Sequence, residues 1–279
     1  MYRGFNLELD ESIYYYFEKD YYFEKDYYLE KGSEIQEKHK SEIEKKIERY
    51  IKNKEVLSGD YIMNKWFPIE DKYDIFLSHS HNDLNLAYYI AGILKEECGL
   101  EVFIDSNIWL NCNDLLKTID YEYCKTGTNK YSYECRNYST AHIHMMLMAS
   151  LNRMIDNTEC LFFLNTPQSV STESIENPET YSPWIFSEIE TSRIIRKKIP
   201  ERRKNNVRKF SNLNENENMD MLIRYRTDLD HLTKMTNSDF CNWVNACKLK
   251  MKEKSLDELY KMSPLKKEIL KTKPLWKRN

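Results

Sequence analysis

In "SPWIFSEIETSRII", residues 182–195, Trp184 and Glu188 stand four apart, so a helix sets an indole and a carboxylate on one face. A carboxylate in a ring-lined cleft stabilises a developing cation, because a low dielectric strengthens the attraction. A glutamate on a helix is ordinary by itself, so its value depends on what else converges there. An earlier stretch, "KYDIFLSHSHNDL", runs from apolar residues straight into a polar knot that places Ser78, His79 and Asp83 at a strand end. His79 and His81, and again His142 and His144, are spaced two apart. The second pair falls in a predicted helix, where such residues diverge, and no carboxylate or cysteine supplies a third ligand, so no metal is expected. GxxxxGK[ST], GxGxxG and GxSxG are all absent, which argues against P-loop hydrolysis, a standard Rossmann dehydrogenase and an α/β-hydrolase. Ser78 and Ser80 therefore read as loop or substrate-contact hydroxyls rather than nucleophiles.

Groups so far apart in the chain need a scaffold that brings them together. "YDIFLS" reads as a short buried strand, "NLAYYIAGILKEEC" as an amphipathic helix ended by Gly99, and "LEVFID" as a second strand, 100–105. After an irregular segment, 107–138, "STAHIHMMLMASLNRMID" predicts a long helix capped by Ser139 or Thr140. "ECLFFLNT" is a third strand, and Pro183 suits the first turn of the helix carrying Glu188. "NSDFCNWVNACKLK" predicts a further helix burying Phe240, Trp243 and Ala246. Strands alternating with helices predict an α/β fold, with a central parallel sheet and helices on both faces. In such sheets ligands bind beyond the carboxyl ends of the strands. The polar stretches 78–83, 105–109 and 165–171 lie at that edge.

The bulk properties narrow the class. The 279 residues suit one domain with appendages, or two. With 45 acidic and 42 basic residues the net charge is −3, which implies no general affinity for nucleic acid. The basic stretch "RKKIPERRKNNVRKF" lacks interleaved stacking aromatics and reads as a solvated helix end and loop; "NLNENENMD" after it is low-complexity. No apolar run approaches the roughly 20 residues needed to cross a bilayer. The start "MYRGFNLELDESIYYY" lacks the features of a signal peptide, so a cytoplasmic location is expected. Seven cysteines without a CxxC pair read as free thiols in a reducing cytosol. From Tyr15 to Lys31 a hexapeptide is nearly repeated, leaving an aromatic stripe of Tyr14, Phe17, Tyr21 and Tyr28. Gly32 and Ser33 then break the pattern, with Ser33 as cap of a second helix bearing Ile35, Ile43, Ile47, Tyr50 and Ile51. The expected division is a helical extension over 1–70, a core domain over 71–250 and a helical tail over 251–279.

The order and spacing of these pieces resemble the Toll/interleukin-1 receptor (TIR) domain over about residues 70–250. "YDIFLSHSHND" is similar to its first strand and following loop, and "GLEVFIDSNIW" to its second strand and the start of its long recognition loop. "SPWIFSEIETS" is similar to its Trp-x-x-x-Glu segment, and "DFCNWV" to its late Phe/Trp box. The stretch Cys112 to Tyr138 departs from it, being longer and richer in Tyr and Cys. The resemblance implies a flavodoxin-like TIR fold and two functional classes. One cleaves NAD+ between nicotinamide and ribose, and some of its members cyclise the product into a signal, as in the anti-phage Thoeris systems. The other only assembles signalling complexes. Trp184 and Glu188 together match the catalytic class, with Glu188 catalytic and with Ser78, His79, Asp83, Asp105, Asn107, Trp109 and Trp184 as substrate contacts. NAD+ would be a substrate, with no cofactor and no metal. Partners would be further copies of the chain through TIR–TIR contacts, a phage-derived trigger and an effector that reads the product, with no nucleic acid and no membrane. A nucleotide transferase or hydrolase on the same kind of sheet is a third reading.

Overall fold

Alternate side chains along each strand enter opposite cores, and this period of two builds the molecule. The computed structural model describes residues 1–10, 12–20, 25–34, 40–52, 56–104, 112–171, 178–206, 225–247 and 252–265. Its central sheet contains β1 (Arg3–Glu8), β2 (Ile75–Ser78), β3 (Val102–Phe103), β4 (Cys160–Leu164) and β5 (Thr233–Thr236). All pairings are parallel, in the order β3-β2-β4-β1-β5.

Phe5, Leu7, Ile75, Leu77, Cys160, Phe162 and Leu164 join one buried cluster. Against it pack α1 (Ser12–Asp20), α2 (Lys25–Ser33), α5 (Leu84–Cys98), α9 (Asn237–Cys247) and α10 (Lys252–Met262). Phe76, Phe103, Leu161 and Phe163 join the other. There the partners are α3 (Lys40–Lys52), α4 (Gly59–Trp66), α6 (Cys112–Ile119), α7 (Tyr133–Asn157) and α8 (Pro183–Ile194). Each fully buried Phe or Leu contributes roughly 1.5–3 kcal/mol relative to exposure. The expected mixed α/β fold, with a parallel sheet covered on both faces, is therefore present.

Several expectations need correction. Residues 3–8 form a strand inside the sheet, where a wholly helical extension was expected over 1–70. "RGFNLE" carries Gly and Asn, poor strand formers, and its hydrogen bonds to β4 and β5 decide its conformation. The helices α1 to α4 do follow it, but Ser33 is the last residue of α2, its hydroxyl donating to the Glu30 carbonyl, and the residues it was expected to cap lie outside the described residues. α7 begins well before Ser139: its cap is Ser132, which accepts from the Cys135 amide, while Ser139 donates to buried Asp120. Cys124 and Cys135 form a disulfide, contrary to the expectation of free thiols only. The short hairpin 125–131 between them closes a spacing that matches no familiar cysteine motif. β3 is shorter than predicted, and α9 buries Cys241, Val244 and Cys247 beside Phe240 and Trp243, with Ala246 only half-buried. In the basic stretch Arg202 forks onto Glu159 and also reaches Asp257, so its charge is spent within the fold. Tyr21, Ile35, the loop 212–220 and the tail beyond 265 lie outside the described residues. Among the described residues, no helix is long and apolar enough to cross a membrane.

The aromatic repeat meets the domain through two reciprocal glycines. A Cβ on Gly92 of α5 would lie 2.0 Å from the Tyr28 carbonyl oxygen, and one on Gly32 of α2 would lie 2.0 Å from that of Tyr88. Backbone thus touches backbone, and neither partner can yield as a side chain would. Gly92→Ala is expected to destabilise the fold by about 1–3 kcal/mol despite the better helix propensity of alanine, seen as a lower thermal midpoint. Reducing the Cys124–Cys135 bond, or Cys135→Ser, should cost about 2–3 kcal/mol in denaturant titrations with and without a dithiol, because a short loop is freed in the unfolded chain.

Candidate active site

The strand order changes direction between β2 and β4: the chain runs outward from β2 to β3, then returns to the other side. The carboxyl ends of β2 and β4 therefore flank a switch point, where an open α/β sheet leaves a crevice. α8 lies over this edge, its Glu188 meeting Ser78 at the end of β2. Ser182 caps it by accepting from the Ile185 amide, and Pro183 occupies the first turn. Phe186 stacks on Tyr225 at 4.6 Å, tying α8 to the small antiparallel ribbon of Glu179–Thr180 and Tyr225–Arg226.

Glu188 points inward from α8 and is only 4% exposed. The Ser78 hydroxyl donates to its Oε2 at 2.5 Å. Ser78 is the last residue of β2, paired with Phe163 of β4, and is 1% exposed. It thus lies behind the carboxylate rather than at a mouth. Beside this pair, the Thr166 hydroxyl donates to Asp83 Oδ2 at 2.5 Å, joining the loop after β2 to the loop after β4. Asn82 bridges the same two loops by donating to Gln168 at 3.4 Å. Burial pushes the Asp83 carboxyl above its ordinary value, against the opposing pull of Thr166 and of His79. His79 keeps Nδ1 3.3 Å from the Leu77 carbonyl, while its Nε2 is buried with no hydrogen-bond partner.

The fold therefore brings Ser78, His79, Asp83 and Glu188 to one sheet edge. Trp184 is half-buried, its ring 5.4 Å from and perpendicular to that of His144 on α7, so it props α8 against α7. Asp105, Asn107 and Trp109 lie outside the described residues. His142 packs on Tyr138 and His144 on Trp184, so the second histidine pair is divided between two aromatic contacts. No cluster of three or more metal-ligating side chains occurs among the described residues.

Two polar residues at this edge were not foreseen. Thr166 belongs to a stretch marked only as polar. Asn6 is in register with Phe163, as Ser78 is from the other side, and so lies in the same cross-sheet row. It is 2% exposed, and its Oδ1 has no hydrogen-bond partner. The available signal was an asparagine flanked by Phe5 and Leu7. A cavity of about 620 Å³, lined among others by Met1, Asp156, Glu159, Lys197 and Ile199, opens at the opposite, amino-terminal edge. Its mixed charges converge on no reactive group, so the crevice over β2 and β4 is the better candidate.

Searches against protein-family models, curated proteins and solved structures gave no match. The site must therefore be judged on its own geometry.

The far end of α8 is anchored by Ser192, whose hydroxyl lies 2.7 Å from the Ile189 carbonyl and 2.8 Å from His231 Nε2. Burial, helped by Lys197, lowers the His231 pKa to about 4. Folded His231 stays neutral where the unfolded chain takes up a proton near pH 6.5. Its contribution is fully present above that pH and is lost as the pH falls toward 4. Thermal or chemical melts should lose about 3 kcal/mol from this source across that window, and His231→Gln should flatten the profile.

Proposed function

We propose that the chain is an NAD+ glycohydrolase or ADP-ribosyl cyclase of the TIR type, with Glu188 as its catalytic carboxylate. The observation that carries this reading is the burial of Glu188 at the switch point of a parallel sheet, on the same edge as His79 and Asp83. Nicotinamide is cationic in NAD+ and leaves as a neutral ring. Breaking the glycosidic bond moves its electron pair onto the ring nitrogen, so no acid is required. Charge instead develops on the ribose, as in glycoside hydrolysis. A carboxylate shielded from water acts strongly on that charge. Water adding to the cation gives ADP-ribose and a proton; an internal nucleophile gives a cyclic isomer. Asp83, His79, Trp184, Asp105, Asn107 and Trp109 would orient the dinucleotide, with NAD+ consumed as substrate. The proposed role is production of a signal in anti-phage defence, by copies of the chain assembled in the cytoplasm after a phage-derived trigger.

A second reading, assembly without catalysis, draws support from the disulfide-tied insertion, whose Tyr121, Tyr131, Tyr133 and Tyr138 are all exposed. Exposed tyrosines in and around a disulfide-stapled hairpin suit a protein interface. One assay separates the two. Purified protein, alone and under crowding or with phage lysate, is incubated with NAD+ while free nicotinamide is followed. Wild type should release it, and Glu188→Gln should lower the rate by at least about a hundredfold at an unchanged melting temperature. A glutamine variant with full activity removes Glu188 from the mechanism; a silent wild type under every condition favours the assembly module.

A further inference from the structure

Ser78 and Glu188 come from segments 110 residues apart, yet their side chains meet at 2.5 Å, both buried. The two are held by different means. Ser78 is fixed by the sheet, because Ile75 to Ser78 pair with Cys160 to Phe163. Glu188 is fixed by α8, which is capped at Ser182 and anchored at Ser192. The contact is therefore set by the fold and not by a loop that could adjust.

Burial penalises an ionised carboxylate, which takes up a proton unless donors stabilise its charge. A hydroxyl donating to a carboxylate makes a charge-assisted bond, stronger still where water is excluded. Only the ionised form can steady a cation on the ribose. A nucleophilic role for the hydroxyl fits poorly, because its proton already points at the carboxylate and, among the described residues, no histidine accepts it.

We propose that Ser78 is a positioning residue that keeps the Glu188 carboxylate ionised and aimed across the crevice, and so sets the lower pH limit of the reaction. This rests on the reading of Glu188 given above. The sign follows directly. Removing a donor to the charged form raises the carboxyl pKa, so activity that needs the carboxylate fails at a higher pH.

The test is the pH profile of kcat/KM for nicotinamide release from NAD+ by wild type, Ser78→Ala, Ser78→Thr and Ser78→Cys, each checked by thermal melting. Ser78→Ala should shift the acid limb upward by about 1 pH unit, the scale of a hydrogen bond to a charged group, with much of the rate regained above it. Ser78→Thr, which keeps the hydroxyl, should restore the wild-type limb. Ser78→Cys, a weaker donor of similar size, should shift it part of the way, and decides the matter if the alanine variant does not fold. An unmoved limb in a folded alanine or cysteine variant overturns the proposal, as does a loss of rate that is equal at every pH. Glu188→Gln is run alongside: if it retains activity, the reading of Glu188 itself falls; if it is dead while the Ser78 variants keep the wild-type limb, only the role of Ser78 falls.

Discussion

The pairing of β1 on both its edges is the constraint on which the rest of the molecule depends. Arg3 to Leu7 bond to Cys160 to Leu164 on one side, and Phe5 to Glu8 bond to Thr233 to Thr236 on the other. Among the described residues, β5 has no other neighbour in the sheet. β5 is joined to the sheet through β1, while α9 also meets β4 directly, Trp243 lying edge-on to Phe162 at 5.8 Å. In the flavodoxin-like order 2-1-3-4-5, the fourth position normally belongs to the strand that follows the third. Here the amino terminus fills it. Arg3 secures the arrangement by donating to the Thr233 hydroxyl and to the Ser263 carbonyl, uniting both ends of the described chain.

That framework gives the crevice its floor. β2 and β4 end beneath α8, where a hydroxyl from the sheet helps to make a buried acid tolerable. The neighbouring Asp83–Thr166 and Asn82–Gln168 contacts lace the two loops together, which limits how far the crevice can spread without breaking polar bonds. Polar groups are thus concentrated where the helices and strands stop, while the faces of the sheet are mostly apolar, with Asn6 an exception in the middle of β1.

How much of this was legible in the sequence varies with the physics of each element. β2, α5, β4 and α8 were readable because period, capping and apolar runs agree locally. Gly99, for example, adopts a left-handed backbone at φ 64° where α5 ends. Glu188 and Ser78 could each be singled out, but their contact could not, since it spans 110 residues and depends on how α8 lies over β2. β1 was hidden because Gly4 and Asn6 weaken its local signal. A Cβ on Gly4 would lie 2.5 Å from Leu232 Cδ2, so that side chain would have to turn aside to admit one. The disulfide was hidden because the hairpin that closes it has little pattern of its own.

The position of β1 also bears on how the chain is made. β1 leaves the ribosome well before its partners, which begin at Cys160 and at Thr233. Pairings of such long range are slow, since loop closure must precede any gain from contact. During synthesis an apolar ribbon of Phe5, Leu7 and Leu9 therefore has no sheet to join, and unpaired strands of this kind are where nascent chains aggregate. The tyrosine-rich helices that follow directly in sequence are the nearest cover for it until Cys160 to Leu164 have been made.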